Sequence, residues 1–310
     1  MKSEFTFLSA DGKTSIHAVK LTPEGGAPRA VLQLVHGMVE YIDRYDPFAS
    51  FMAEQGFVVV GHDHLGHGAS VSSQEQWGYF APDHPSDILV EDMQQLRRRT
   101  EEEYPDLPYF ILGHSMGSYL LRKYLTVYGQ GLAGSILSGT GFVPPSTCAM
   151  AKMICAIMAK FKGWKYRSKF VSSLTFGKSY QKFDRTGAKP ELSWLTKDVD
   201  IVRKYYGDPR CTFLFTLNGF FALFDMVGYD CKQENVDKIP KDLPILIASG
   251  KDDPVGDLGD GVKTVHTMFQ EAGIKDLAVS LYEHDRHEIL NELDKEKVFD
   301  DILNWLQTRI

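Results

Sequence analysis

The sequence predicts an α/β protein with one mostly parallel sheet of eight strands, flanked by helices and interrupted by a helical insertion. Three observations predict this fold class. Short apolar runs rich in β-branched and aromatic residues alternate with longer amphipathic stretches. The first two apolar runs are separated by "ADGKT", whose Asp11-Gly12 pair signals a tight turn. The alternation stops at "GTGFVPPS" and resumes at "IPKDLPILIASG".

Eight apolar runs are the predicted strands. The first two are expected to form an antiparallel hairpin at one edge of the sheet, and the later ones to run parallel because helices connect them. The runs are residues 4–9, 15–21, 30–36, 57–63, 109–113, 133–139, 244–250 and 277–283. Apolar residues recur every three or four positions in the predicted helices, which are residues 45–55, 87–103, 116–128, 258–272 and 293–308.

Residues 142–238 form the insertion, so the predicted core comprises residues 1–141 and 239–310. The insertion is predicted to be mostly helical and to act as a lid. Its first part is strongly basic, because residues 141–183 contain no Asp or Glu and eight basic residues. These are Lys152, Lys160, Lys162, Lys165, Arg167, Lys169, Lys178 and Lys182.

The segment "MAKMICAIMAKFKGWKYRSKF" mixes large apolar side chains with lysines, and two interpretations fit it. In the first, a lid helix packs its apolar side on the core while its lysines are solvated. In the second, the helix lies at an interface and makes peripheral contact with an anionic membrane surface.

Composition limits the classes of partner and compartment. The formal net charge of −7 argues against a nucleic-acid partner, which needs a basic face. The N-terminal "MKSEFTFLSADGKT" has no apolar signal region, and no apolar run has the length of a membrane span, so the expected location is the cytoplasm. Four cysteines form no CxxC pair and are expected to be reduced: Cys148, Cys155, Cys211 and Cys231.

The stretch "YFILGHSMGS" places Ser115 between an apolar strand and a predicted helix. In a nucleophile elbow, a serine occupies a sharp strand-to-helix turn that presents its hydroxyl at the top of the sheet. Gly113 and Gly117 would relieve crowding at such a turn. Because a GxSxG pattern also arises by chance, the alternative is an ordinary strand-to-helix loop.

A serine nucleophile needs a histidine base that is oriented by a carboxylate. In this architecture the acid follows a late strand and the histidine follows the last one. "PILIASGKDDPV" offers Asp252 and Asp253, and "LAVSLYEHDRHEIL" offers His284 and His287. Asp253 is favoured because the following proline restrains its backbone. His287 is favoured because it lies deeper in its loop, at the start of an apolar-periodic segment.

Acyl transfer also requires two backbone N–H groups that bind the oxyanion. The predicted donors are Met116, directly after the serine, and Met38, in the loop "LQLVHGMVE" that follows an early strand. Glu40, Arg44 and Tyr45 of the same loop either brace it or are ordinary surface groups.

The loop "GHDHLGHGAS", with His62, Asp63, His64 and His67, suggests zinc ligands. No second cluster of ligand residues at metal-binding spacing accompanies it, and its glycines suit a turn at the end of a strand. The favoured interpretation is therefore structural histidines, with neither a metal nor a cofactor.

Taken together, the segments "HGMVEYIDRY", "GHDHLGHGAS", "GHSMGS", "SGKDDPVG" and "RHEILNE" resemble the monoacylglycerol lipase and lysophospholipase group of α/β-hydrolases, especially its bacterial members. The resemblance extends over nearly the whole chain. It implies the α/β-hydrolase fold, with Ser115, Asp253 and His287 as the catalytic triad and a lid over the site. It further implies that "YYGDPRCTFLFTLNGFFALF" is the second lid segment. Tyr41 departs from the pattern, because many relatives have histidine there.

These observations predict a cofactor-independent serine ester hydrolase that cleaves single-acyl-chain lipid esters, such as a monoacylglycerol or a lysophospholipid, through an acyl-enzyme. Alternatives on the same fold are a small-ester carboxylesterase, a peptidase and an acyltransferase. A remote alternative is a metal-dependent hydrolase that uses the loop at residues 62–67. Five aromatic residues either line an acyl channel or pack within the lid: Phe213, Phe215, Phe220, Phe221 and Phe224.

Overall fold

The computed structural model describes all residues from Met1 to Ile310, and one eight-stranded sheet organises them. The strand order is β1-β2-β4-β3-β5-β6-β7-β8. Strands β1–β2 and β2–β4 pair antiparallel, and every other pair is parallel, which confirms the predicted sheet. The strands are β1 Lys2–Leu8, β2 Ser15–Leu21, β3 Ala30–Val35, β4 Phe57–His62, β5 Tyr109–His114, β6 Gly134–Ser138, β7 Ile245–Gly250 and β8 Leu277–Tyr282.

Ten α-helices accompany the sheet. They are α1 Asp46–Glu54, α2 Pro85–Glu103, α3 Met116–Tyr128, α4 Pro145–Lys162, α5 Lys169–Ser173, α6 Val199–Gly207, α7 Leu217–Asp230, α8 Gln233–Val236, α9 Asp260–Glu271 and α10 Lys295–Gln307. The five predicted core helices correspond to α1, α2, α3, α9 and α10. Helix α9 begins later than predicted because Asp257 and Leu258 have left-handed backbone conformations, with φ of 49° and 56°.

The sheet forms the middle of three layers. Alternate residues of the central strands point to opposite faces, so Val58 and Val60 join one core cluster while Val59 joins the other. Helices α2, α3 and α9 cover the first face, and α1 and α10 cover the second. Strands β3 to β7 are buried along their whole length, as expected for parallel strands covered on both faces.

Helices α4 to α8 all lie between β6 and β7, in the segment predicted to be the insertion. Helix α4 packs on α7 through small side chains, and Gly228 of α7 makes room for Cys148, because a Cβ at position 228 would lie 2.9 Å from the Cys148 Cβ. The buried face of α4 consists of Cys148, Ala151, Cys155 and Ala159. All four cysteines of the chain are free and buried. None of the helices has the length and apolar character needed to cross a membrane.

A buried ion network joins the loop after β3 to the loop after β8. The Arg44 guanidinium donates to Glu40 Oε2 at 2.5 Å and forms a paired bond to Glu288, at 2.9 and 2.7 Å. All three side chains are at most 11% exposed. Glu40 Oε1 also accepts from the Gly37 amide at 2.5 Å and from the Tyr45 hydroxyl at 2.8 Å. The residues predicted either to brace this loop or to be surface groups are therefore internal braces.

The two carboxylates of the network share one cation unequally. Burial raises the pKa of Glu40, and the nearby Arg44 offsets only part of that effect. Burial also acts to raise the pKa of Glu288, but the charge and the paired hydrogen bonds of Arg44 outweigh it and lower the pKa. Arg44 is thus the cation that both buried carboxyl groups share.

Replacing Arg44 by methionine should lower the free energy of unfolding by about 3–5 kcal/mol, because two buried carboxylates lose their cation. Urea unfolding at neutral pH measures this loss. The matched control is Lys2→Met, which removes a cation that two more exposed carboxylates, Asp43 and Asp46, share and should cost less than about 1 kcal/mol. Equal losses in the two variants would show that the network contributes no more than a surface ion pair.

Candidate active site

Ser115 lies on a strained turn between β5 and α3. Its backbone has φ 54° and ψ −120°, a conformation that non-glycine residues rarely adopt. A Cβ on Gly113 would lie 2.3 Å from the Gly117 carbonyl oxygen, and one on Gly117 would lie 2.1 Å from the Val35 carbonyl oxygen. Only glycine fits at both positions. The turn has the geometry expected of a nucleophile elbow and not that of an ordinary loop.

Asp253 and His287 form a buried pair beyond the ends of β7 and β8. The Nδ1 atom of His287 lies 2.9 Å from Asp253 Oδ2, and Asp253 Oδ1 accepts from the Val255 amide at 2.8 Å. A proton on Nδ1 satisfies the carboxylate and leaves Nε2 as the proton acceptor. Burial acts to lower the pKa of His287, but the charge and hydrogen bond of Asp253 outweigh it, so the pKa is raised.

The two alternative residues do not take part in this pair. His284 is exposed, on a turn where its φ is 66°. Asp252 is partly exposed, and its carboxylate lies 3.9 Å from Lys182 Nζ. The structure therefore brings together the favoured members of both predicted pairs.

The end of β6 connects the serine turn with the histidine. The Ser115 amide donates to the Ser138 carbonyl at 2.9 Å, and a Cβ on Gly139 would lie 2.9 Å from His287 Cε1. The ring of His114, directly before the serine, has its centroid 4.6 Å from that of His287. Gly139 therefore provides the space in which these two rings approach each other.

The two predicted oxyanion donors belong to backbone segments next to the serine. Met116 is the first residue of α3, so its N–H has no acceptor within the helix. The loop that contains Met38 reaches Ser115, because a Cβ on Gly37 would lie 3.0 Å from the Ser115 Cβ. The Met38 amide donates no hydrogen bond to another backbone group. Both N–H groups are thus free to bind an anion beside the serine.

The histidine-rich loop lies in the interior as a packed group of rings. The ring centroid of His64 lies 4.1 Å from that of His36 and 4.9 Å from that of His62, and the His67 ring stacks on Phe80. Burial lowers the pKa of His62 and His67 to about 4, so both are neutral near pH 7. No three His, Cys, Asp or Glu side chains of the chain are arranged to hold a metal ion.

Four of the five candidate channel residues form a row of ring contacts. Centroid distances are 6.0 Å from Phe213 to Phe215, 5.6 Å from Phe215 to Phe220 and 6.2 Å from Phe220 to Phe224. Phe221 lies apart, with its ring 5.3 Å from Trp164. Three members of the row are buried and Phe213 is partly buried, and Phe213 and Phe215 also contact the His67 ring of the core. Their role in binding an acyl chain stays a prediction.

Sequence reasoning missed Trp194 and Glu288. The Trp194 indole stacks on the His287 imidazole, with ring centroids 4.9 Å apart and an interplanar angle of 29°. Trp194 lies in irregular backbone between a short 3₁₀ turn at Pro190–Leu192 and helix α6, where no periodic pattern predicts its neighbours. Glu288 directly follows His287, and its only signal in the sequence was an acidic residue beside the predicted base. That signal does not show that Glu288 is the bidentate partner of the buried Arg44.

Comparisons with known proteins show the family of the chain. Residues 26–294 match the family model Hydrolase_4, described as serine aminopeptidase, S33. A monoacylglycerol lipase from Mycolicibacterium smegmatis is 24% identical and aligns over 100% of this chain and 98% of its own length. A mouse monoglyceride lipase is 24% identical over 92% of this chain and 84% of its own. The predicted resemblance to monoacylglycerol lipases is confirmed.

Solved structures share the fold over the full chain. A thermostable carboxyl esterase from Bacillus coagulans, solved in complex with glycerol, is 31% identical with a TM-score of 0.90, and the match covers 99% of this chain and 98% of that one. A soluble variant of the monoglyceride lipase from Saccharomyces cerevisiae is 20% identical with a TM-score of 0.76, covering 96% and 92%. Because the family model spans most of its length, the chain belongs to the Hydrolase_4 family of α/β-hydrolases.

Proposed function

We propose that this chain is a serine ester hydrolase that cleaves single-acyl-chain lipid esters, such as monoacylglycerols or lysophospholipids, through an acyl-enzyme. The observation that carries the proposal is the strained Ser115 turn, which the end of β6 links at Ser138 and Gly139 to the buried Asp253–His287 pair. The names of the relatives, which include monoacylglycerol lipases and a carboxyl esterase, support an ester substrate.

In the proposed mechanism Ser115 is the nucleophile, His287 the base and Asp253 the acid that orients it. The Ser115 oxygen attacks the ester carbonyl carbon while His287 Nε2 takes the hydroxyl proton. The amides of Met38 and Met116 bind the oxyanion that forms. When the tetrahedral intermediate collapses, the bond to the alcohol oxygen breaks and the imidazolium gives its proton to that oxygen.

The second half of the reaction uses the same groups. Water gives a proton to His287 and attacks the acyl carbon, and the bond to Ser115 breaks as the serine recovers a proton and the fatty acid leaves. Asp253 stabilises the imidazolium in both halves. The sequence and the proposed steps require no cofactor.

The acyl chain is proposed to bind along the aromatic row of the insertion, beside Phe213. This residue is only partly buried, whereas Phe215, Phe220 and Phe224, which continue the row, are buried. Residues 142–238 are accordingly proposed to act as a lid. The outer surface of α4 supports this role, because large apolar side chains there face solvent while small ones face the protein. These outer residues are Met150, Met153, Ile157 and Phe161, the last of which is 82% exposed.

This arrangement of α4 favours peripheral contact with an anionic membrane surface over the alternative of apolar packing on the core. Exposed apolar side chains grouped on one surface mark interaction sites in soluble proteins. Three exposed lysines lie at or just beyond the C-terminal end of α4, near Phe161: Lys160, Lys162 and Lys165. Positive charge beside exposed apolar groups is the combination that interfacial helices present to lipid.

Peptide hydrolysis is the second candidate, because the matching family model is described as a serine aminopeptidase. The same nucleophile, base and oxyanion donors can cleave an amide bond. Assays of amino-acyl p-nitroanilides beside monoacylglycerols and lysophospholipids discriminate between the two. Turnover of the lipid esters alone supports the proposal, and turnover of the anilides alone supports the peptidase.

Ser115→Ala should reduce monoacylglycerol turnover by ~10³-fold or more, since removal of a nucleophile disables the whole triad. His287→Ala and Asp253→Asn should also be severely impaired. The neighbours provide matched controls, because His284→Ala and Asp252→Asn should stay near wild type. Steady-state kinetics with circular dichroism as a folding check measure these effects. A loss below about tenfold in Ser115→Ala would rule out the assignment.

Vesicle binding tests the proposed membrane contact. The wild type should bind anionic vesicles more tightly than zwitterionic ones, and less tightly as salt rises. The variant Lys160→Glu/Lys162→Glu/Lys165→Glu should bind anionic vesicles more weakly yet hydrolyse a soluble p-nitrophenyl ester normally.

The matched control for vesicle binding reverses three exposed charges outside the insertion, with Lys263→Glu/Lys275→Glu/Lys297→Glu. This variant has the same net charge as the first but should retain vesicle binding. If both variants lose binding equally, net charge governs the attraction and α4 is not the contact.

A further inference from the structure

One aromatic side chain from the insertion lies directly on the proposed base. The indole of Trp194 is stacked on the imidazole of His287, which is itself buried. Trp194 takes no part in the proposed bond-making and bond-breaking steps. Its contact is nevertheless with the one ring that becomes charged during ester cleavage.

The backbone around Trp194 is attached to the loop of the base. The His287 amide donates to the Trp194 carbonyl at 3.4 Å, and the Glu288 amide donates to the Leu195 carbonyl at 2.7 Å. The Arg286 guanidinium donates to the Ser193 carbonyl at 2.6 Å. Residues 193–195 therefore run alongside residues 286–288, and the position of the indole is fixed relative to the imidazole.

The charged and titratable groups around His287 differ from the indole in how they act on the imidazole ring. Asp253 binds Nδ1, and the Glu40 and Glu288 carboxylates, which share Arg44, act on the ring only through space. Burial lowers the pKa of the adjacent His114 well below its ordinary value, so that ring is neutral. The Tyr180 ring contacts Trp194, and burial raises its pKa well above the ordinary value, so it is also neutral.

The indole has no net charge, but its electrostatic field is favourable to a cation placed over its face. The face of an aromatic ring carries the negative part of its quadrupole and attracts a cation within about 6 Å of the centroid, most strongly for tryptophan. The imidazolium of His287 would lie within that distance. The stacking also restricts the tilt of the imidazole, whose only side-chain hydrogen bond is the one that Nδ1 donates to Asp253.

We propose that Trp194 is a positioning residue that fixes the plane of the His287 imidazole and stabilises the imidazolium formed when Ser115 gives up its proton. This inference rests on the proposed function, in which His287 is the base. Trp194 acts through His287 and has no bond to make or break itself.

The sign of the effect on pH dependence follows from the role of the base. His287 accepts a proton only when neutral, so kcat/KM rises with pH through the pKa of His287. An indole that stabilises the cation raises this pKa. Its removal should lower the pKa and move the acid limb of the profile to lower pH, provided that water does not replace the indole. Leucine keeps an apolar cover over the imidazole and lacks the quadrupole.

The test compares Trp194→Leu, Trp194→Phe and the control Trp164→Leu, which alters a partly exposed tryptophan elsewhere in the insertion. The assay is hydrolysis of p-nitrophenyl acetate across pH. Trp194→Leu should lower the acid-limb pKa by about 0.5, equivalent to roughly threefold in the protonation equilibrium. Trp194→Phe should retain most of the wild-type pKa, and Trp164→Leu all of it. An unchanged pKa in Trp194→Leu would overturn the proposal.

A second measurement does not depend on whether Trp194→Leu folds. Fluorinated tryptophans incorporated throughout the wild-type protein weaken the quadrupole with little change of shape, and the acid-limb pKa should fall as fluorine is added. The same analogues should have no effect in Trp194→Phe. Equal effects in both backgrounds, or none in the wild type, would contradict the inference. Hydrolysis that persists in Ser115→Ala would instead show that the proposed function is wrong.

Discussion

A single buried guanidinium joins the two loops on which the proposed chemistry depends. Strands β3 and β8 precede these loops and are separated in the sheet by β5, β6 and β7, so no strand pairing holds the loops together. Arg44 joins them through Glu40 on one side and Glu288 on the other. Glu40 then reaches the Gly37 amide beside Met38, and Glu288 adjoins His287. The proposed oxyanion loop and the proposed base are therefore joined by one ionic network.

The remaining site residues are gathered by the parallel sheet itself. The carboxyl ends of parallel strands open onto one edge, and loops from β3, β5, β7 and β8 supply the candidate groups there. The strained Ser115 turn is possible because glycine at positions 113 and 117 lets the turn approach β3 closely. The packing of helix α3, which begins at the next residue, holds Ser115 in this strained conformation. The Ser115 side chain lies next to the loop of Met38, where a Cβ on Gly37 would be 3.0 Å from the Ser115 Cβ.

Much of this arrangement could be predicted from local pattern. Strands buried on both faces appear in the sequence as continuous apolar runs. The order of the candidate residues along the chain, together with Pro254, favoured Asp253 as the acid of the site. The contacts of Trp194 could not be predicted, because this residue lies in an irregular segment of the insertion that has no periodic pattern. Periodicity also shows which residues of α4 share a face, but not which face is buried. The small residues Cys148 and Ala151 face inward because α7 approaches closely there, while the larger Met153 faces solvent.

The most direct test of a covalent serine mechanism is to trap the acyl group. A p-nitrophenyl ester has an activated leaving group, so deacylation should limit turnover and the acyl-enzyme should accumulate. Rapid mixing, an acid quench and mass spectrometry should then show one added acyl group on the peptide that contains Ser115, with a matching burst of p-nitrophenol. An acyl group on a different residue, or sustained turnover with neither burst nor adduct, would contradict the account.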